Sequence, residues 1–210
     1  SFIKKAGTII LLSTIVLWFL MNFGWADGSF GMLEAEQLDS SILAAIGSVI
    51  APIFAPLGWG NWKMAVAAIT GLIAKENVVA TFGILFGFAE VAEDGAEIWG
   101  QLGASIVPIA AYGFLVFNLL CAPCFAAMGA IKREMNNTKW FWFAIGYQTV
   151  LAYIVAFCIY QIGSVFTGNI HVVGLIIALL FVAGFIYLLV RPYKESDTLK
   201  VDMKKKAFAK

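Results

Sequence analysis

The stretch Asn118-Leu119-Leu120-Cys121-Ala122-Pro123-Cys124 sets an amide, two thiols and a proline inside the mostly apolar run 102–131. Pro123 has no N–H, so the carbonyl of Leu119 loses the partner it would have in a continuous helix, and Ala122 is pushed away from the helical region. A helix broken in this way at membrane depth is tolerated only where it is buried in protein or lines a cavity, and there its free carbonyls can replace the water around an ion. Cys124 would add sulfur, which suits a borderline or soft divalent metal far better than Na⁺, K⁺ or Mg²⁺. On the residues alone two roles stand open for Cys124, metal contact and the packing of a small apolar side chain. Cys121 and Cys124 also form a C-x-x-C. A thiol redox motif would want a βαβ context and a structural zinc site four ligands, and neither accompanies the pair. Cys158 reads as a packing residue.

Lys75 and Glu76 fall in the middle of a second apolar run, 63–88, about 18–20 Å of helix from either end at 1.5 Å per residue. Neither snorkels easily from there. A charge at such depth costs roughly 2.5–3.5 kcal/mol on insertion scales, so it ordinarily faces a bundle interior or a wet cavity and marks an ion or substrate path. On a continuous helix Glu76 lies over Leu72, Ala80, Gly83 and Gly87, a stripe where another helix can approach closely, and Lys75 lies over Gly71, Phe82 and Phe86. Glu76 is read as a carboxylate offsetting a dication. For Lys75 two roles remain: balancing a carboxylate on the path, or hydrogen bonding to broken-helix carbonyls with no contact to substrate.

The elements that must hold these groups follow from composition. Of 210 residues 61% are hydrophobic and 13% charged, with a mean hydropathy of +0.89; soluble domains carry roughly 25% charged residues. A soluble enzyme is excluded, and a net charge of +1 gives no concentrated basic face for nucleic acid. Apolar segments at 6–25, 41–58, 63–88, 102–131, 140–165 and 172–190 each approach or exceed the length of a bilayer span. They show no period-2 alternation, so strands are not expected and the fold class is all-α: about six transmembrane or re-entrant helices, some broken by Pro. Pro52 and Pro56 make 41–58 the segment expected to be broken or re-entrant.

Basic residues orient the bundle. Lys4 and Lys5, then Lys132, Arg133 and Lys139, then the run from Arg191 to Lys210 should be cytoplasmic, while 26–40 and 89–101, acidic and without Lys or Arg, should lie outside. The acidic loops read as solvated charge and His171 as an interfacial polar residue. Trp25, Trp59, Trp62, Trp140 and Trp142, near segment ends, read as interfacial belts. Residues 1–192 form one transmembrane domain and 193–210 a basic cytoplasmic tail. The chain starts at Ser1 with no signal peptide evident, and reads either as a piece of a longer protein or as a separate half-subunit.

Several stretches together resemble the C-terminal permease half of bacterial ferrous iron transporter B, within the gate or nucleoside-recognition group. They are Phe2-Ile3-Lys4-Lys5-Ala6-Gly7-Thr8; the Pro-containing segment from Ser41 through Gly47 to Ala51-Pro52 and Pro56-Leu57-Gly58; Gly71-Leu72-Ile73-Ala74-Lys75-Glu76; and Pro123-Cys124 followed by Lys132-Arg133-Glu134. The resemblance covers roughly residues 2–190. It implies import of Fe²⁺ across a bacterial inner membrane by a multi-pass protein, with Fe²⁺ as substrate and no bound cofactor. It makes Cys124 the position corresponding to the cysteine proposed to meet iron. With Glu76 as second metal-facing residue, Lys75, Asn118, Cys121 and Pro123 complete the expected pathway. The family's GTP-binding domain and first gate half are absent from these residues, and no G-x-x-x-x-G-K-[ST] phosphate loop occurs, so the chain is not expected to be an enzyme. Its expected partners are the lipid bilayer, Fe²⁺, and either that missing GTP-binding domain and first gate half or further copies of itself as a homo-oligomer. Asn118 and Cys121 are more polar than the residues expected before Pro-Cys in this family. Other readings are a nucleoside-like solute transporter, a membrane thiol oxidoreductase using Cys121 and Cys124, and a non-transporting assembly module.

Overall fold

Long apolar stretches can satisfy their backbone within lipid only as helices or closed barrels, and this chain takes the helical course. The computed structural model describes residues 2–26, 28–33, 35–73, 75, 78–86, 99–168 and 171–192. The basic tail 193–210, Glu76 and most of the acidic stretch 89–101 lie outside those residues. Among the described residues the helices are α1 (Phe2–Asn22), α2 (Ile42–Phe54), α3 (Trp62–Ile73), α4 (Val78–Leu85), α5 (Trp99–Ser105), α6 (Pro108–Leu120), α7 (Phe125–Met135), α8 (Thr138–Phe166) and α9 (Val172–Val190). By length and composition α8 and α9 are each apolar enough to cross a membrane alone, whereas Ile42–Leu57 and Trp62–Gly71 qualify only together, bent by 91°. The expected all-α architecture therefore holds, with more of it in short pieces than the apolar runs indicate.

Two corrections concern local structure. Phe23–Ala26 (β1) and Ser29–Met32 (β2) form an antiparallel hairpin, with Trp25 opposite Phe30 and Gly24 opposite Gly31, where no strand was expected. The sequence does carry the signal, Asp-Gly between two short aromatic-containing runs, with Gly28 at φ 79°; four residues a side are too few for a periodicity test. Second, the run 63–88 is not one helix. Among the described residues α3 ends at Ile73, Lys75 is in a 3₁₀ turn and α4 begins at Val78, so the continuous-helix stripe drawn for Lys75 does not apply, while the one drawn for Glu76 lies outside the described residues.

The bend after α2 shows how broken segments are stabilised here. Ser41 caps α2, its Oγ accepting from the Ala44 N–H at 3.0 Å. The helix carries Pro52 within it and passes into a 3₁₀ turn, Ala55–Leu57, closed by Gly58 at φ 84°. The Tyr160 ring lies where a Cβ on Gly58 would project, so both the left-handed backbone and the close approach require glycine. Carbonyls at the end of a broken helix need donors in a site without water. Helix α8 provides them: Tyr153 Oη donates to Ile53 O at 2.7 Å and Gln161 Nε2 to Pro56 O at 2.8 Å.

The core forms around that corner. Trp59 is 1% exposed, stacked on Phe54 with centroids 4.4 Å apart and edge-on to Phe114 at 5.2 Å, with Phe117 beside both. It belongs to no interfacial belt, which corrects the expectation for this tryptophan; Trp25, Trp140 and Trp142, by contrast, are exposed as expected. Alanines fill the helix crossings: Ala65, Ala67 and Ala68 of α3, Ala110 of α6, and Ala152 and Ala156 of α8, all essentially inaccessible. Small residues let membrane helices approach closely enough for dispersion to hold them together.

Candidate functional site

Helix α6 ends where Pro123 dictates. Cys121 is its C-cap, in extended conformation, and Cys124, also extended, is the N-cap of α7, so Cys121-Ala122-Pro123-Cys124 is an unwound link between two helices. The Cys124 carbonyl accepts the first bond of α7, from Met128 N–H at 2.9 Å, while its side chain makes no capping bond and is partly exposed. Cys121 differs. It is 1% exposed, and its Sγ donates to Asn118 O at 3.3 Å, which fits a packed thiol better than one open to exchange with disulfides. Cys158, also buried, donates to Ala178 O at 3.7 Å, joining α8 to α9 as packing residues do.

The carbonyls released at the end of α6 are taken up by Lys75. Its Nζ donates to Leu119 O at 3.4 Å and to Cys121 O at 3.5 Å. Leu119 O is the acceptor that Pro123 leaves without a helical partner. The ammonium also meets the negative end of the α6 dipole. Of the two roles open for Lys75 in the sequence, the structure brings out the hydrogen-bonded one.

Lys75, which lies between α3 and α4, therefore meets the unwound link 121–124 between α6 and α7. Their closeness rests on Gly71, one turn before Lys75, where a Cβ would stand 2.5 Å from Asn118 Oδ1. Asn118 is 8% exposed; its Nδ2 donates to Phe114 O at 2.9 Å and its Oδ1 has no hydrogen-bond partner. A buried amide oxygen without a donor is uncommon, since the great majority of buried polar atoms are paired. Free backbone oxygens, an amide oxygen, a partly exposed thiol and a cation on a mobile stem are thus contributed by one pair of crossing helices. Among the described residues no three His, Cys, Asp or Glu side chains group as metal ligands. Glu76, expected to face a metal, lies outside the described residues. A separate cavity of about 290 Å³ lined by Asn61, Trp62, Lys63, Met64, Phe86 and Ser105 sits at the opposite end of α3.

Sequence reasoning passed over Gln161. A lone amide in a 29-residue apolar helix carries no motif, yet it is 4% exposed, holds the Pro56 carbonyl and leaves its own Oε1 unpartnered against Gly174. The only available signal was its depth, at which a polar side chain must find a partner in protein.

Residues 3–138 match the family model described as Gate, nucleoside recognition. The chain is 38% identical over 167 residues to the Fe(2+) transporter FeoB of Methanocaldococcus jannaschii, an alignment covering 78% of this chain and 24% of that protein. It is 35% identical over 159 residues to Fe(2+) transporter FeoB of Campylobacter jejuni, covering 74% and 26% respectively. Against the Fe(2+) transport protein A/Fe(2+) transporter FeoB fusion protein of Porphyromonas gingivalis it is 30% identical, covering 79% and 24%. The chain spans about a quarter of the length of these curated relatives. No solved structure matches it.

Proposed function

We propose, because the chain belongs to the gate (nucleoside recognition) family and its relatives are ferrous iron transporters, that it forms part of the membrane path along which Fe²⁺ enters the cell. The observation that carries this reading is the meeting of Lys75, between α3 and α4, with the unwound link Cys121–Cys124, whose carbonyls a continuous membrane helix would hide. Discontinuous helices crossing in this way are how transporters expose backbone oxygen to an ion without exposing it to lipid. In the proposed path Cys124 and Glu76 meet the metal. Cys124 supplies sulfur from the start of α7, and Glu76 a negative charge from the α3–α4 link. Pro123 keeps the link unwound, Asn118 offers an amide oxygen, and Lys75 and Cys121 border the opening. A mixed sulfur and oxygen set favours a divalent transition metal over Mg²⁺ or Ca²⁺.

The path belongs to a multi-pass protein of the bacterial inner membrane in this reading, with 132–139 and 193–210 facing the cytoplasm and 26–40 and 89–101 outward, because Lys and Arg gather on one side only. Residues 1–192 form the gate domain. No catalytic step is assigned to them; the family's GTP-binding domain and first gate half, or further copies of this chain in a homo-oligomer, complete the path. The thiol-redox alternative gains nothing from the geometry, since Cys121 is packed away from solvent.

Glu76→Gln tests the charge on the path. Glutamine keeps the shape and a carbonyl acceptor but removes the charge that offsets a dication. Uptake of radiolabelled Fe²⁺ under anaerobic conditions, in cells that depend on this chain, is expected to fall by about tenfold or more, the scale of a lost interaction of about 1.4 kcal/mol or larger, with membrane yield unchanged. Normal uptake by Glu76→Gln alongside poor yield of Glu76→Ala would make the carboxylate structural.

A further inference from the structure

We propose that the Lys75 ammonium is a tethered occupant of the oxygen site at the end of α6, competing with the incoming divalent cation for the Leu119 and Cys121 carbonyls; this rests on the transport reading above. The two acceptors, Leu119 O in the last turn of α6 and Cys121 O at its C-cap, lie at the negative end of the α6 dipole, where any cation is favoured. At 3.4 and 3.5 Å both contacts are longer than the 2.7–3.2 Å of ordinary N–H···O bonds. The ammonium therefore neutralises the site without binding it firmly. Its four-carbon stem allows withdrawal without any movement of the backbone. No carboxylate pairs with Lys75 among the described residues, so the carbonyls are the partners the structure provides for its charge. One residue before Leu119, Asn118 Oδ1 is buried and unpartnered, an acceptor the ammonium leaves unused.

The arrangement closes the site in the absence of metal. The internal cation occupies the two carbonyls when no metal is there, and a dication with stronger attraction for the same oxygens displaces it. A lysine acting only as a strut between α3 and α6 would not respond to metal.

The test is anaerobic Fe²⁺ binding to the purified chain in lipid nanodiscs, comparing the unaltered protein with Lys75→Met, which keeps the length of the side chain and removes its charge, and with Lys75→Arg, which keeps the charge. If the ammonium holds the site about nine-tenths of the time, Lys75→Met binds Fe²⁺ about tenfold more tightly than the unaltered protein, and Lys75→Arg shows no such gain. Equal or weaker binding by folded Lys75→Met overturns the proposal. A second arm uses the unaltered protein, so that a variant failing to fold leaves the proposal open to refutation: acylation of Lys75 by a small amine-reactive reagent, read by mass spectrometry, is expected to rise several-fold on adding Fe²⁺. A rate indifferent to Fe²⁺ overturns it. Iron uptake by cells carrying the unaltered chain separates the two readings, because its absence would defeat transport itself, whereas normal uptake with metal-independent Lys75 behaviour would defeat only the competition.

Discussion

Replacing Cys124 with serine is expected to lower ferrous iron uptake by at least about tenfold, the smaller end of what altering a metal's surroundings costs, while the protein still reaches the membrane at normal yield. Serine preserves size but is a poor ligand for a borderline metal. Nothing in the fold depends on the sulfur: the side chain makes no capping bond and is partly exposed, so its loss leaves no void and no orphaned partner. Cys121→Ser should do less harm to transport, because that thiol points into the protein and bonds Asn118 O, a bond a hydroxyl can also make. The asymmetry between two cysteines three positions apart is the informative part. Uptake of radiolabelled iron at limiting concentration, anaerobically, checks it. Oxidation of the thiols would otherwise imitate the substitution. Equal losses from both variants would point to a role for the pair as a unit.

Trp59→Ala is expected to have the largest effect on stability, about 3–5 kcal/mol, the usual cost of truncating a large buried aromatic residue. The ring is 1% exposed, stacked against Phe54 and flanked by Phe114 and Phe117, so alanine leaves a void that three aromatic neighbours from two helices cannot refill without moving the corner after α2. Trp59→Phe should recover a good part of the loss, since Trp59 Nε1 has no hydrogen-bond partner to forfeit. Thermal unfolding in detergent, with the loss of monodisperse protein as the readout, makes the comparison. A tryptophan of the interfacial belt would tolerate alanine with little change.

The error over Trp59 shows what spacing can and cannot convey. Pro56 and Gly58 mark the end of an apolar segment, and a tryptophan beside such an end ordinarily lies at the lipid headgroups. Here the end is a 91° corner, and the residue just past the corner points inward. The Pro123 break was legible for the opposite reason: a missing N–H is a covalent fact, and it names its orphan, Leu119 O, without reference to the rest of the fold. The stretch between α3 and α4 carries no such mark. Its Lys75 was visible as an ammonium at the wrong depth, but which acceptors it would find depended on α6 packing against α3, and that depended on Gly71 meeting Asn118. Gln161 was invisible for a related reason. Its partner, Pro56 O, lies 105 positions away.

Fe²⁺ passing the meeting of Lys75 with the unwound link Cys121–Cys124 is the central claim, and protection of Cys124 from alkylation tests it most directly. In membranes containing the chain with Cys121 and Cys158 replaced by serine, Cys124 is the single thiol, and its rate of modification by a small alkylating reagent is followed with and without Fe²⁺ under anaerobic conditions. A path through this crossing predicts that saturating Fe²⁺ slows modification by about tenfold, as expected if the thiol is free less than a tenth of the time, and that Mg²⁺ at the same concentration does not. A modification rate unaffected by Fe²⁺, in protein that still takes up iron, would contradict the account and place the path elsewhere in the bundle.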